Sequence, residues 1–345
     1  MSEPVDLFAQ QEANRRRTRR LVLLFVLFFA WLGFGGDWIL RLATLDAPAA
    51  AYHHTVPWGG IGLTLLAIGL AWWTRRTGPE SVLAAAGAME LEHPTKAEHV
   101  QLFNVVNEMS IAAGIPRPRI HIVPDADPNA FATGFAPEQS HIAVTEGLLA
   151  LCSRDELQAV IAHEMGHIVN LDVRLMTQLA GLVGAVALVS DGVGRMLRQG
   201  ARGRVPLRLA SRKKGGGLGP LVLVLLVLWI VSWLVAPLVC RMLALGVSRK
   251  REFLADAMSA QFTRNPGALA SALEKIERAA APTMSIRQAS AHLCIADPLG
   301  RRVNLREGRL ADLFGTHPPM PLRVARLRAM AYQSLKRAGG VPVPT

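Results

Sequence analysis

The sequence predicts a mainly α-helical membrane protein, in which transmembrane helices are combined with an α+β domain that holds a small sheet. Two observations predict this fold class. Hydrophobic residues make up 51% of the 345 positions and the mean hydropathy is +0.27, which is too apolar for a purely soluble protein. In addition, long uncharged segments alternate with polar regions whose apolar residues recur at helix and strand spacing.

Four segments lack formal charge and are candidates for helices in lipid: 21–36, 55–73, 175–190 and 218–240. The second and fourth approach or exceed the roughly 20 residues that a bilayer requires, and the first reaches that length by continuing to Leu40. The third is short and contains a glutamine and glycines. Its alternative is a buried or partly inserted helix of the α+β domain.

Basic residues beside these segments predict their orientation. Five arginines between positions 15 and 20 precede the first segment, and Arg75 and Arg76 follow the second. Since positive charge favours the cytoplasmic side, the N-terminus and the region after Arg76 should both be cytoplasmic. No clear A-x-A cleavage site follows 21–36, so we expect an uncleaved, multi-pass protein of the inner (plasma) membrane.

The net charge of +12 could indicate a nucleic-acid partner. The arginines cluster beside apolar segments, however, and lack the interleaved aromatic residues that stack on bases, so we expect no nucleic-acid partner. Cys152, Cys240 and Cys294 are odd in number and form no CxxC motif. This pattern argues against a disulfide framework and against a cysteine metal site.

The α+β domain begins after the second apolar segment. The sequence predicts a helix over 95–113 and short strands over 119–123 and 140–144. An extended edge is predicted over 128–134, for which an ordinary loop is the alternative. After the fourth segment, surface-facing helices are expected over 266–281 and 321–336.

The predicted organisation has four parts. Residues 1–77 hold a cytoplasmic arm and two transmembrane helices, and 78–174 hold the first part of the α+β domain. Residues 175–247 hold the third and fourth apolar helices with a basic connector at 191–217, and 248–345 complete the domain.

The connector's charge conflicts with the topology, because the polar parts on either side must meet on one face of the membrane. Two complete spans would place it outside, whereas no complete span would leave a very apolar segment inserted without crossing. We prefer two spans.

The most informative motif is HExxH at positions 163–167. On a helix, histidines four residues apart project together beside the glutamate, so the motif offers two zinc ligands and a base. Ser153 and Glu156 form a capping-box pattern that predicts a helix beginning near Arg154. The apolar residues that recur at helical spacing within it, and predict a buried stripe, are Leu157, Val160, Ile161 and Ile168.

A catalytic zinc commonly has three protein ligands and a water, so a third ligand must lie elsewhere. The longer motif HExxHxxGxxH is absent, because Asn170 and Val173 stand at its glycine and final histidine positions. Glu252 is a candidate on a predicted helix, with Asp256 one turn later on the same face. From spacing alone, these two carboxylates could also be a solvated helix face.

Three motifs in order, PNAFATGFAPEQSHIAVTEGLL, ELQAVIAHEMGH and SRKREFLAD, resemble those of the HtpX and CAAX-prenyl-protease family of membrane-embedded gluzincin metallopeptidases. The resemblance covers about 95–319. It implies a zincin-like catalytic domain, which the arginine pattern places in the cytoplasm, and one Zn²⁺ per subunit bound by His163, His167 and Glu252. It also implies Glu164 as the catalytic base and Asp256 as the group that orients a ligand histidine.

The resemblance further implies an edge strand that receives substrate by β-augmentation. Its residues would be Asn129, Ala130, Phe131, Ala132 and Thr133. His317, in a stretch similar to the family's T-H-P motif, is a candidate stabiliser of transition-state charge; its alternative is a loop histidine held by two prolines. The chain departs from the family pattern at Phe253, where a tyrosine is usual, and at Gly315, where a serine is common.

These features predict a membrane-bound zinc endopeptidase that hydrolyses unfolded, misfolded or membrane proteins in protein quality control. Its expected partners are protein or peptide substrates and the lipid bilayer. One alternative is a protease that processes prenylated C-termini, although the chain has few apolar segments for a lipid-enclosing chamber. Another is a non-catalytic membrane adaptor or chaperone that keeps zinc for structure. A small transporter would require all three motifs to be coincidental.

Overall fold

The computed structural model describes residues 7–45, 53–184, 227, 229, 231, 249–279, 293–295 and 318–337. The chain divides into two compact units. The first unit comprises Met1–Thr18, Thr77–Gly181 and Leu243–Thr345, and the second comprises Arg19–Arg76 and Leu182–Met242.

The second unit contains most of two long helices, α1 (Leu7–Thr44) and α2 (Trp58–Ala85). Within the described residues, one helix, Phe8–Leu42, is long and apolar enough to cross a membrane, judged by length and composition. It contains the first predicted apolar segment. The second predicted segment, 55–73, is helical and lies in α2, which falls short of the same measure.

A buried carboxylate joins these two helices. Asp37 of α1 accepts hydrogen bonds from the backbone N–H groups of Gly59 and Gly60 in the first turn of α2, and its Oδ1 lies 2.8 Å from His54 Nε2. A carboxylate is favourable there, because the first N–H groups of a helix lack partners within it. A Cβ at Gly33 would lie 2.5 Å from the Gly59 carbonyl oxygen, so this close crossing requires glycine.

The first unit is built on a mixed four-stranded sheet. Its strands are β1 (Met89–Glu90), β2 (Arg119–Val123), β3 (Ala130–Gly134) and β4 (Ser140–Thr145), in the order β1-β2-β4-β3. Strands β2 and β4 are parallel, and the other two pairs are antiparallel. The strands predicted over 119–123 and 140–144 are confirmed, and the predicted extended edge is β3.

Helices pack against this sheet and against one another. They are α3 (Ala97–Ala113), α4 (Glu146–Leu151), α5 (Arg154–Val169), α6 (172–184, as far as it is described), α7 (Arg249–Thr263), α8 (Pro266–Arg278) and α9 (Met320–Arg337). The predicted helices over 95–113, 266–281 and 321–336 correspond to α3, α8 and α9. Helix α8 buries Leu269, Leu273 and Ile276 in the core, while Arg278 at its end is exposed.

Helix α5 lies at the centre of the first unit, in contact with β3, α3, α7 and α8. The predicted apolar stripe is buried, but so is almost every other residue from Glu156 to Val169, including the HExxH motif. The sequence therefore predicted the helix and its first residue, but the apolar pattern indicated burial on only one face, whereas nearly the whole helix is buried. Contacts on all sides come from elements distant in the chain.

Candidate active site

The beginning of α5 is fixed by the predicted capping box. The Ser153 hydroxyl accepts a hydrogen bond from the Glu156 N–H at 3.4 Å, and the Glu156 carboxylate accepts one from the Ser153 N–H at 2.8 Å. The same carboxylate also accepts hydrogen bonds from Ser271 and Lys275 of α8, at 2.6 and 2.7 Å. These contacts satisfy the first N–H groups of α5 and attach its first turn to α8.

His163, His167 and Glu252 form a buried cluster in which one ligand atom from each lies within 4.8 Å of the others. The two histidine Nε2 atoms are 3.2 Å apart, and the glutamate oxygens lie 3.7 Å from His163 Nε2 and 3.6 Å from His167 Nε2. In a tetrahedral zinc site with bonds of about 2.0–2.1 Å, ligand atoms would be about 3.3–3.4 Å apart. The spacing and the two-imidazole, one-carboxylate donor set therefore fit Zn²⁺.

Glu252 reaches the histidines because α7 packs closely against α5. A Cβ at Gly166, inside the HExxH motif, would lie 3.3 Å from both Ala255 Cα and Met258 Cβ of α7. The missing side chain allows α7 to approach, and its first turn carries Glu252.

Asp256 supports the first histidine, and its own partner is Arg323 of α9. Asp256 Oδ1 lies 3.0 Å from His163 Nδ1. The buried guanidinium of Arg323 donates to both Asp256 oxygens, at 3.0 and 2.7 Å, and to the Ile295 carbonyl at 3.1 Å. Burial raises the pKa of Asp256, but the charge of Arg323 and the hydrogen bond with His163 outweigh it and hold that pKa at about 2. An ionised Asp256 keeps the proton of His163 on Nδ1, which leaves Nε2 for a metal.

A second carboxylate supports the other histidine. Asp172, at the start of α6, places Oδ2 3.4 Å from His167 Nδ1, and its Oδ1 lies 3.4 Å from Arg251 Nε. Burial lowers the pKa of His167, but Asp172 and Glu252 outweigh it and raise that pKa to about 9. The negative surroundings therefore favour positive charge at the imidazole.

The charges around the histidines also favour a divalent cation. Glu164, Asp172, Glu252 and Asp256 are buried carboxylates, and Arg251 and Arg323 are the buried guanidiniums that face them. With neutral histidines and all four acids ionised, this group carries two more negative than positive charges. Buried charge is costly unless it is compensated, and a dication would supply the compensation.

Glu164 has the properties of a general base. Its side chain is buried, and burial is the main reason that its pKa is raised to about 7. The Glu252 carboxylate raises the pKa further, whereas His167, the Ala132 backbone N–H and Arg323 lower it. A base with a pKa near the working pH combines a large ionised fraction with a strong tendency to accept a proton.

Strand β3 passes beside Glu164 and lies at the edge of the four-stranded sheet. Its predicted residues Asn129 to Thr133 are all buried. On the outer side, the Ala130 carbonyl accepts a hydrogen bond from the Ile295 N–H at 2.9 Å, and the Gly134 N–H donates to Thr177 Oγ1 at 3.1 Å. Ala132 lies between these two contacts, and its N–H faces Glu164.

His317 and Gly315 lie outside the described residues. At the other departure from the family pattern, the Arg326 guanidinium lies 3.9 Å from the centroid of the Phe253 ring. This contact uses the ring face, so it does not need the tyrosine hydroxyl.

Sequence reasoning missed Arg323, Asp172 and Arg251. The nearest signals were an acid five residues after the motif and an arginine beside the proposed glutamate ligand. Neither signal distinguishes a buried partner from a solvated charge, and Arg323 lies in a helix with several other arginines.

Comparison with known proteins identifies the family of the chain. The model of peptidase family M48 matches residues 96–331. The chain belongs to peptidase family M48. A protein from Streptococcus gordonii called Protease HtpX homolog is 39% identical over 326 residues, which cover 94% of this chain and all of that protein. A Protease HtpX homolog from Thermoanaerobacter pseudethanolicus is 35% identical over 327 residues, 94% of this chain and 98% of that protein.

Among solved structures, the crystal structure of S. mikatae Ste24p aligns with a TM-score of 0.42 at 16% identity. The alignment covers 90% of this chain and 66% of that one, slightly less than two thirds of its length. Family M48 membership, which rests on the sequence matches, confirms the predicted resemblance and the enzyme class. The protein is a membrane-bound metalloprotease.

Proposed function

We propose that this M48 protease is a multi-pass zinc endopeptidase of the inner membrane, with its catalytic domain in the cytoplasm, and that it degrades unfolded or membrane proteins. The observation that carries the zinc site is the convergence of His163, His167 and Glu252 within 4.8 Å, with Glu164 buried beside them. Three protein ligands with an acid nearby are the arrangement of a catalytic zinc site rather than a structural one.

Zinc bound by these ligands would lower the pKa of a water toward about 7 and polarise the scissile carbonyl. The Glu164 carboxylate accepts the proton of the attacking water and then returns it to the leaving amine nitrogen. Asp256 and Asp172 hold the two imidazoles through their Nδ1 atoms, so that both Nε2 atoms converge. His317 is proposed to stabilise charge on the carbonyl oxygen.

Substrate is proposed to add to the outer side of β3, over Asn129 to Thr133, with Ala132 as its central contact. The Ile295 N–H already pairs with Ala130, and Gly134 donates to Thr177, so Ala132 is the position between these contacts that also faces Glu164. Backbone pairing at this point would place a peptide bond beside the base and would select little for side-chain identity. Low selectivity suits unfolded proteins.

Exposed apolar side chains support a membrane location for both helices of the second unit. Trp31 and Leu27 of α1 are 61% and 54% exposed, and Leu65 and Trp72 of α2 are 60% or more exposed. Large apolar surfaces of this kind are normally covered by a partner or by lipid. Tryptophans at both ends of the apolar part of α2, followed by Arg75 and Arg76, match the interfacial pattern of a spanning helix with a cytoplasmic C-terminal end.

The first test uses Glu164→Gln, which removes the base and keeps the side-chain volume. The purified full-length variant should bind one zinc and lose at least about 10²-fold in casein cleavage, because general base catalysis contributes about 10²–10⁴-fold. Glu98→Gln, at an exposed carboxylate on α3, is the matched control and should cleave normally. Persistent cleavage by Glu164→Gln would remove Glu164 from this role.

The second test measures zinc content. Glu252→Ala should sharply reduce zinc per chain, and unchanged stoichiometric zinc would reject the ligand assignment. His317→Ala should lower kcat with zinc content preserved.

Substrate class needs a separate experiment. Membrane proteins trapped by Glu164→Gln can be identified by mass spectrometry, and unfolded or membrane proteins are expected. Preferential cleavage of prenylated over unmodified peptides would instead support C-terminal processing.

A further inference from the structure

The N-terminal part of α1 packs into the first unit, next to the end of the HExxH helix. Residues up to Thr18 belong to this unit, and Asn14 is completely buried there. The Gln11 side-chain amide donates to the Val169 carbonyl at 2.7 Å, in the last turn of α5. This polar first part of α1, residues 7–18, is called the N-terminal arm, and it contacts the last turn of the helix that carries the HExxH motif.

Asn14 makes two hydrogen bonds that fix its orientation. Its Nδ2 donates to the Asn170 carbonyl at 2.9 Å and to Asp172 Oδ1 at 2.8 Å. Both partners are acceptors, so the NH₂ end of the amide must face them. The Oδ1 end points toward the Arg17 guanidinium, which donates to it at 3.5 Å. No other orientation of the amide satisfies all three partners.

These bonds lead directly to a ligand histidine. Asp172 Oδ1 is held by Asn14 and lies beside Arg251, while Oδ2 of the same carboxylate faces His167 Nδ1. Fixing one oxygen of a carboxylate limits the rotation of the other. The Asn14 amide therefore determines where Asp172 presents its second oxygen, and so how the His167 ring is turned.

We propose that Asn14 is a positioning residue of the protease, acting through Asp172 on His167, so that the N-terminal arm of α1 is part of the metal site's support. This inference rests on the proposed zinc function. A purely structural role would require only docking of the arm, which Gln11 also provides. The Asn14 contact differs because its acceptor is the group that orients the histidine.

The first experiment compares Asn14→Ala with Gln11→Ala in the full-length protein in detergent. Zinc dissociation constants are measured by competition with a chromophoric chelator. Loss of an outer partner typically costs about 10–100-fold in metal affinity, so Asn14→Ala should bind zinc about tenfold more weakly. Gln11→Ala loosens the arm without touching Asp172 and should stay within about twofold of the wild type. Equal weakening by both variants would show that docking alone matters and would overturn the proposal.

The second experiment repeats Asn14→Ala in an Asp172→Ala background. If Asn14 acts through Asp172, the two losses are not additive, and the second substitution changes affinity little. Full additivity would contradict the proposal. Arg16→Ala, at an exposed residue of the same helix that pairs with Glu12, is the control for a substitution in this segment that does not reach Asp172.

A charge swap keeps the test decisive if Asn14→Ala fails to fold. Asn14→Asp places a carboxylate against Asp172 and should weaken zinc binding strongly. Adding Asp172→Asn restores a hydrogen bond between positions 14 and 172 with donor and acceptor exchanged. The new amide still offers His167 an oxygen, so zinc affinity should recover in part. No recovery would count against the proposal. A wild type without stoichiometric zinc would refute the proposed function itself, whereas normal zinc affinity in Asn14→Ala refutes this inference alone.

Discussion

Replacing Arg323 by methionine would test whether the buried ion pair with Asp256 holds the site together. The guanidinium is fully buried and donates to both Asp256 oxygens and to the Ile295 carbonyl. Methionine fills similar space but removes the charge, so a buried carboxylate loses its guanidinium partner. Breaking a buried pair from one side costs about 3–5 kcal/mol. The pKa of Asp256 should rise from about 2, which weakens its hold on His163.

The assay is hydrogen exchange with mass spectrometry on the full-length protein in detergent micelles. Tryptophan fluorescence would not report this region, because all seven tryptophans belong to the second unit. Peptides from α7 and α9 should lose about 3–5 kcal/mol of protection. The double variant Arg323→Met, Asp256→Leu removes both charges and should recover protection but not zinc affinity. Protection in Arg323→Met within about 1 kcal/mol of the wild type would refute the reasoning.

Three further predictions concern α5. Gly166→Ala should cost about 1–3 kcal/mol of hydrogen-exchange protection and weaken zinc binding in chelator competition, because the added Cβ meets α7. The control is Gly184→Ala, where a Cβ would meet open space. Equal effects of the two substitutions would contradict the packing argument. Ser153→Ala should remove about 1 kcal/mol of protection from the first turns of α5 in hydrogen exchange. Burial raises the pKa of Glu156, but Lys275, Ser271 and the Ser153 N–H outweigh it, and the net pKa is lowered. The lowered pKa stabilises the fold above the unfolded-state pKa of about 4.3, and this stabilisation is lost as the pH falls through the lower folded-state pKa. In thermal melts over this pH range, the melting temperature of Lys275→Met should therefore fall less than that of the wild type.

Local features of the first unit were predictable because their signals are local. The capping box at Ser153 marks the beginning of α5 within a few residues, and the strands over 119–123 and 140–144 follow from short β-branched runs. The histidine pair of the motif depends only on helical spacing. The proposed third ligand was harder to assign, since position 252 lies about 85 residues further on. Spacing alone left Glu252 and Asp256 open as a solvated helix face, and the resemblance to a family favoured the ligand assignment.

The supporting residues were not predictable, because they depend on contacts between distant segments. Asn14 and Arg323 read as members of basic, solvated stretches, yet both are completely buried. Composition and periodicity give the type and spacing of residues, but they do not predict which carboxylate a buried asparagine or arginine will contact. The contact between Ile295 and Ala130 beside the edge strand has the same origin.

The two histidines proposed as zinc ligands are supported by two separate but similar chains of contacts. The Nδ1 atom of His163 contacts Asp256, which accepts hydrogen bonds from Arg323 of α9. The Nδ1 atom of His167 contacts Asp172, which accepts a hydrogen bond from Asn14 of α1. The supports come from opposite ends of the chain, more than 300 residues apart. The imidazole orientations of the proposed ligands therefore depend on contacts from outside the HExxH helix. A fixed metal site needs both ends of the sequence folded around it, so zinc binding should appear only when the first unit is complete.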